Sequence, residues 1–414
     1  MNDRLVITKT KLQGQVKLSG AKNSGLKLLT ASILTSGKVE IYNSPNGLLD
    51  MHVHIGMLEK MGKKCFTDNS YLRIEEPVEL DTNLLWDERS IRNSLLMLGC
   101  LTTRFGGGKV PLPGGCKLGE RKYDIHVDIL EALGARVFEE DGYLCTEVKD
   151  FPLKATDIHL PMRSTGATEN AIMASCLAVG TTTIWNPHIR PEIIDLVEML
   201  NKMGAKIEVF GQKCIVVEGV KELSGVKHKV IPDNMEALTW AIGAVITGGD
   251  VEIIDFPFEH LEVPLAYLKE SGMIYYRGEN SLIVRGGSPY PIEISTGPYP
   301  GINSDMQPLF AIYGAVSKGT SKIVDLRFPG RYAYAEEMAK MGVNYEIDGD
   351  MLVINGGDKL KGAVVTAHDL RAGIALLLAG LTAEGETVIE NAWQIERGYE
   401  NLKDKLKSLN AIIN

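Results

Sequence analysis

The sequence predicts an α/β protein made of two inside-out α/β domains, each of three repeated helix-strand-helix-strand units. Three observations predict it. A helix-end signature recurs about every 70 residues. The first helix of each repeat is apolar on all sides, as expected of a helix surrounded by protein. The chain, at 414 residues, is long enough for six such repeats in about two domains.

The signature reads Glu59-Lys60-Met61-Gly62, Glu131-Ala132-Leu133-Gly134, Asn201-Lys202-Met203-Gly204, Lys269-Glu270-Ser271-Gly272, Ala339-Lys340-Met341-Gly342 and, more weakly, Lys407-Ser408-Leu409-Asn410. The intervals are 72, 70, 68, 70 and 68 residues. Glycine and asparagine both tolerate the left-handed conformation that closes a helix.

Within each repeat the elements follow in one order. A helical run of small and aliphatic residues, at 24–37, 93–108, 167–180, 236–249, 306–319 and 370–385, ends in glycine. A short β-rich segment follows, such as Lys38-Val39-Glu40-Ile41, Val251-Glu252-Ile253-Ile254 or Glu386-Thr387-Val388-Ile389. A more polar second helix comes next and stops at the signature. A strand pair then follows, as in Cys214-Ile215-Val216-Val217 or Met351-Leu352-Val353-Ile354. The lack of charge on the first helices places them inside and the sheets outside. The expected division is a first domain at 22–228 and a second at 1–21 plus 229–414, with the ligand expected in the cleft between them. A solenoid ranks lower, because a repeat this large and mixed exceeds the common solenoid modules.

Composition excludes other classes. With 44% hydrophobic and 23% charged residues the chain reads as globular. Its longest apolar stretch, near 372–381, is about half of a membrane span, and the start lacks a secretory apolar region. A cytoplasmic location is therefore expected, with no membrane partner. A net charge of −9 is the wrong sign for nucleic acid. Any anionic ligand requires locally concentrated basic residues. The six cysteines show no CxxC pair, so neither a zinc site nor a disulfide framework is expected. His52 and His54 lack a third ligand at suitable spacing, and no metal is assigned. Five cysteines read as small buried residues. Cys116 lies in a Pro/Gly segment with Lys117, Arg121 and Lys122 behind it, where positive charge favours the thiolate.

Lys22 and Asn23 open the first helix behind Gly20, an arrangement that binds anions through backbone N–H groups, the helix dipole and the ammonium; an exposed turn lysine is the alternative. Arg92, Arg163 and Arg371 fall near equivalent helix starts, and Arg397 lies in a later turn. A lone arginine is usually a surface residue. Several at one phase of a repeat suit a ligand with more than one carboxylate or phosphate. Asp305 is expected as a helix N-cap, or as a base among the arginines. His126 either orients the Cys116 loop or packs.

Six strings then resemble one family in order and near spacing across the whole chain. They are Leu18-Ser19-Gly20-Ala21-Lys22-Asn23, Leu112-Pro113-Gly114-Gly115-Cys116 with Gly119-Glu120-Arg121, Thr165-Gly166-Ala167-Thr168-Glu169-Asn170, Ser304-Asp305-Met306-Gln307, Asp369-Leu370-Arg371-Ala372 and Arg397-Gly398-Tyr399-Glu400. They resemble the UDP-N-acetylglucosamine 1-carboxyvinyltransferases of the enolpyruvyl transferase superfamily. The resemblance implies two substrates, phosphoenolpyruvate and a UDP-sugar, no cofactor, and a step toward peptidoglycan. It implies Cys116 as general acid and as the cysteine alkylated by fosfomycin, and Asp305 as base. Lys22, Asn23, Arg121, Arg397, Arg371 and Arg331 would serve phosphoenolpyruvate and its adduct. Arg92, Arg121, Asp124, Ile125, Ser164, Gly166 and Asp305 would serve the UDP-sugar. The glycines of 106–119 imply a lid that carries the cysteine.

Some positions depart from the family pattern. Lys122 stands where a proline flanks the uracil, Arg327 where an apolar residue is usual, Pro329-Gly330-Arg331-Tyr332 for Glu-Asn-Arg-Phe, and Asn234 for an arginine. The stretch before Asp50 lacks its usual basic residue. These changes fall on the nucleotide side, so a relative acting on another nucleotide or sugar hydroxyl, such as UMP, stays open. A non-catalytic UDP-sugar binder ranks lower, because Cys116, Asp305, Lys22 and Arg397 are all present.

Overall fold

The computed structural model describes residues 4–113 and 123–413. The chain forms two compact units, one of residues 20–231 and one that joins the segment up to Ser19 to Pro232 and beyond. Each unit has its own apolar core.

In the unit of residues 20–231 the inner helices are Lys22–Ala31, Ser94–Phe105 and Thr165–Ser175. They are mostly small and aliphatic, most of their residues are buried, and they pack against one another. The second helices, Leu49–Lys60, Asp124–Ala132 and Pro191–Lys202, are one-sided. In the last of these Ile193, Leu196, Val197, Met199 and Leu200 are buried, while Lys202 is exposed.

Each repeat contributes its own sheet. The strand after an inner helix pairs antiparallel with the second strand of a following hairpin, as Thr181–Trp185 does with Cys214–Glu218. Among the described residues a parallel strand completes the other side of five of the six sheets, as Asp157–His159 does beside Thr181–Trp185, while in the second repeat only an isolated bridge from Asn83 to Lys109 does so. The last strand, Val226–Lys229, returns to pair parallel with Val39–Tyr42 of the first repeat, Val226 opposite Val39. The unit thereby closes on itself.

The other unit repeats this plan around inner helices Asn234–Ile246, Gln307–Val316 and Leu370–Thr382. All thirteen residues of the first are buried, Trp240 fully. Each fully buried Leu or Ile here contributes roughly 1.5–3 kcal/mol. The sixth repeat departs from the expected strand pair after its last helix. Its hairpin is assembled from the two ends of the chain. Arg4–Thr8 pairs antiparallel with Glu386–Glu390, and Ile7 bridges Ile413 on its other edge. Gln13–Lys17 then crosses to the fourth repeat, parallel to Asp250–Ile254.

The recurring helix ends share one backbone solution. Gly62, Gly134, Gly204, Gly272 and Gly342 have φ between +94° and +112°, and Asn410 has φ +59°. Each helix thus closes through a left-handed residue that frees the chain to turn into the next strand. No helix among the described residues is long and apolar enough to cross a membrane.

Candidate active site

In the unit of residues 20–231, Lys22 is the first residue of its helix. The entry is built by close backbone approach: a Cβ on Gly20 would lie 1.8 Å from the Asn43 carbonyl oxygen, and Ala21 N–H donates to Ile231 at 2.8 Å. The lysine is buried, its Nζ 2.7 Å from Asp50 Oδ2, which is also buried. Asn23 follows, half-buried, with no polar partner for its side chain among the described residues. Arg92 stands just ahead of the second inner helix, half-buried.

At the third inner helix Ser164 is the N-cap, accepting from Ala167 N–H at 3.4 Å. A Cβ on Gly166 would touch the His126 ring at 3.4 Å, and His126 Nδ1 lies 3.2 Å from the Asn170 amide. Burial, with Arg92 and Lys27 nearby, pushes His126 down to about 3, so the ring is neutral and packs. Asp124, exposed, and Ile125, half-buried, begin the same helix as His126. Cys116 and Arg121 lie outside the described residues.

The other unit carries a denser array. Asp305 sits in a 3-10 turn, Ser304–Met306, that leads into the fifth inner helix. It is not the cap expected of it. Asn303 fills that role, accepting from Asp305 N–H at 3.0 Å, because the turn begins two residues before the carboxylate. The Asp305 carboxylate instead faces two guanidiniums, with Oδ1 3.0 Å from Arg331 Nη1 and Oδ2 3.5 Å from Arg371 Nε. Burial alone would lower both arginines, but Asp305, joined by Asp369 at Arg331 and by Tyr399 at Arg371, outweighs it and raises them. Both stay charged.

Two aspartates fix this geometry, Asp325 buried and Asp369 half-buried. Asp325 accepts from Thr296 and Ser304 hydroxyls and from the N–H groups of Arg327 and Phe328, which folds the 326–330 turn and delivers Arg331. The Gln307 amide holds the Arg331 carbonyl at 3.2 Å. Asp369 caps the sixth inner helix, accepting from Arg371 and Ala372 N–H at 2.7 and 2.9 Å, and its carboxylate also faces Arg331 at 3.8 Å. Arg397 lies in the turn after a short helix, buried, with Nη1 3.0 Å from the Gln394 side chain.

The structure thus brings Asp305, Arg331 and Arg371 together, with Asp369 beside them, and pairs Lys22 with Asp50. Reasoning from sequence missed Asp50 and Asp325 as partners; both are polar residues beside apolar runs, a signal shared by many surface aspartates. Asp369 was missed as well, although its place immediately ahead of a helix, where aspartate is favoured, is a signal that could have found it. Chemically, a half-exposed carboxylate among buried cations can accept a proton beside a group whose negative charge those cations stabilise.

Fold and sequence define the class. The family model for EPSP synthase (3-phosphoshikimate 1-carboxyvinyltransferase) matches residues 6–406, and the chain belongs to this enolpyruvyl transferase family. The enolpyruvyl transferase NikO from Streptomyces tendae has the same fold, with TM-score 0.89 at 24% identity over 99% of this chain and 98% of its own. EPSP synthase from Acinetobacter baumannii follows at TM-score 0.72 and 17% identity, covering 99% of both chains. Full-length relatives narrow the assignment. UDP-N-acetylglucosamine 1-carboxyvinyltransferase 1 of Carboxydothermus hydrogenoformans is 42% identical over 410 residues, covering 97% of this chain and 95% of the relative. The protein of that name from Caldanaerobacter subterraneus subsp. tengcongensis is 40% identical over 418 residues, 100% of this chain and 99% of the relative. Within the family the chain belongs with the UDP-N-acetylglucosamine 1-carboxyvinyltransferases.

Proposed function

We propose that this chain transfers the enolpyruvyl group of phosphoenolpyruvate to the 3′-hydroxyl of UDP-N-acetylglucosamine and releases phosphate, the first committed step toward peptidoglycan. The observation that carries the reading is the Asp305 carboxylate set between Arg331 and Arg371, in a chain whose full-length relatives bear that enzyme's name.

In the first step the hydroxyl oxygen bonds to the central enol carbon. The hydroxyl proton goes to Asp305, and the methylene carbon takes a proton from the Cys116 thiol, giving a tetrahedral adduct. In the second step the C–O bond to phosphate breaks, Asp305 gives its proton to the departing phosphate, the methyl group returns a proton to the Cys116 thiolate and the double bond re-forms. Lys22, Arg121 and Arg397 hold the phosphate and carboxylate of phosphoenolpyruvate. Asn23 hydrogen-bonds the adduct, and Arg331 and Arg371 add positive charge around it. Arg92, Asp124, Ile125, Ser164 and Gly166 contact the UDP-sugar. Both substrates are phosphorylated metabolites of the cell interior, and we assign the reaction to the cytoplasm.

The test is phosphate release from phosphoenolpyruvate with UDP-N-acetylglucosamine, UMP and shikimate 3-phosphate offered separately. Release with UDP-N-acetylglucosamine supports the reading. Release with UMP or shikimate 3-phosphate alone overturns the acceptor, and no release with any of them overturns the activity.

A further inference from the structure

Arg371 is shared by three repeats. It occupies the second position of the sixth inner helix, 4% exposed, and its Nε lies 3.5 Å from Asp305 Oδ2 of the fifth repeat without a hydrogen bond between them. The turn 397–399 packs beside it: a Cβ on Gly398 would stand 3.9 Å from Arg371 Nη1, and the Tyr399 phenol is near enough to the guanidinium to interact with it electrostatically. Tyr399 Oη in turn lies 2.8 Å from Thr239 Oγ1, on the inner helix of the fourth repeat.

The hydrogens in this chain have one consistent direction. Thr239 has a single hydroxyl hydrogen and gives it to the Met235 carbonyl at 2.8 Å, so it accepts from Tyr399. The phenol hydrogen therefore points to Thr239. Its lone pairs face Arg371, whose N–H groups can only donate. Burial pushes Tyr399 up to about 12, which keeps the phenol protonated and the direction intact at neutral pH. Arg371 thus lies between a carboxylate on one side and a neutral acceptor on the other. Asp233, the cap of the fourth inner helix, adds charge to the same surroundings.

We propose that Tyr399, backed by Thr239, is a positioning residue for the transfer, holding Arg371 at the distance from Asp305 that the proton-accepting carboxylate requires. The inference rests on the reading of function given above. The phenol touches no reacting atom in this scheme. Its effect passes through Arg371, because a guanidinium that loses a buried acceptor turns toward another one.

The experiment compares the full-length protein with Tyr399→Phe, Thr239→Val and Thr239→Ser in phosphate release, with wild-type turnover measured first. Melting curves report the folded fraction. Tyr399→Phe is expected to lower kcat about tenfold, the scale of one hydrogen bond to a charged group. The KM for phosphoenolpyruvate should stay within about twofold, because a bond that matters in the transition state lowers kcat rather than binding. The acidic limb of the kcat profile should move to higher pH as Arg371 leaves Asp305. Thr239→Val should do the same in part, and Thr239→Ser, which keeps the hydroxyl, should restore wild-type behaviour. Wild-type kcat and pH profile in Tyr399→Phe overturn this inference alone, as does a loss that follows the folded fraction. Absence of wild-type turnover overturns it together with the reading of function.

Discussion

Lys22 Nζ and Asp50 Oδ2 stand 2.7 Å apart, both side chains buried, at the entry to the first inner helix. A buried ammonium that loses its carboxylate is left with its desolvation cost, so Asp50→Ala should destabilise the protein by about 3 kcal/mol in denaturant unfolding. If Lys22 holds a substrate anion, phosphoenolpyruvate should return part of that loss and raise the melting temperature of the variant more than that of the wild type. Equal shifts would remove Lys22 from the anion site.

In the proposed reaction Asp305 accepts a proton, and in the fold it pairs with the buried Arg331 and Arg371. Asp305→Asn should therefore lower kcat by roughly 10²–10⁴-fold, the usual scale of general-base catalysis, and also lower the melting temperature, because two buried guanidiniums lose a carboxylate. Initial rates and melting curves on one preparation check both halves.

Glu169 gives the fold a pH dependence. It is fully buried on the third inner helix, and burial raises its carboxyl from 4.5 to about 7 against the opposing pull of Lys27 and Arg190. Between those two pH values the unfolded chain ionises while the folded protein keeps its proton. Stability then falls as pH rises, by about 3 kcal/mol in total. Glu169→Gln should flatten that slope in urea unfolding measured from pH 4 to pH 8. An unchanged slope would assign it to other groups.

Thiol chemistry should single out Cys116. Burial pushes Cys65 and Cys176 up to about 12 and raises Cys100 and Cys145, so none of these four offers a thiolate at neutral pH. Peptide mass spectrometry after fosfomycin treatment at pH 7 should find the adduct on Cys116, with Cys116→Ala unlabelled. An adduct on any of those four would contradict the assignment.

The repeats were legible because each second helix ends on a residue that adopts positive φ, and Gly62, Gly134, Gly204, Gly272, Gly342 and Asn410 do so at a common spacing. Burial of the inner helices was legible for a related reason: Leu376 to Ala379 offer water nothing. The split hairpin of the sixth repeat was not legible, since pairing Arg4–Thr8 with Glu386–Glu390 joins opposite ends of the chain and leaves no local pattern. Asp305 was marked as a base or a cap from its position. Geometry removes the cap, because a cap is decided by where the turn begins, and Asn303 begins it. Tyr399 read as part of a motif; its link to Thr239 spans 160 residues and appears only when the helices pack.

The central claim is tested most directly by the product. Incubation with phosphoenolpyruvate and UDP-N-acetylglucosamine should give one phosphate per enolpyruvyl ether formed, with NMR placing the ether on the sugar 3′-oxygen. An ether at another hydroxyl, or phosphate released without any ether, would contradict it.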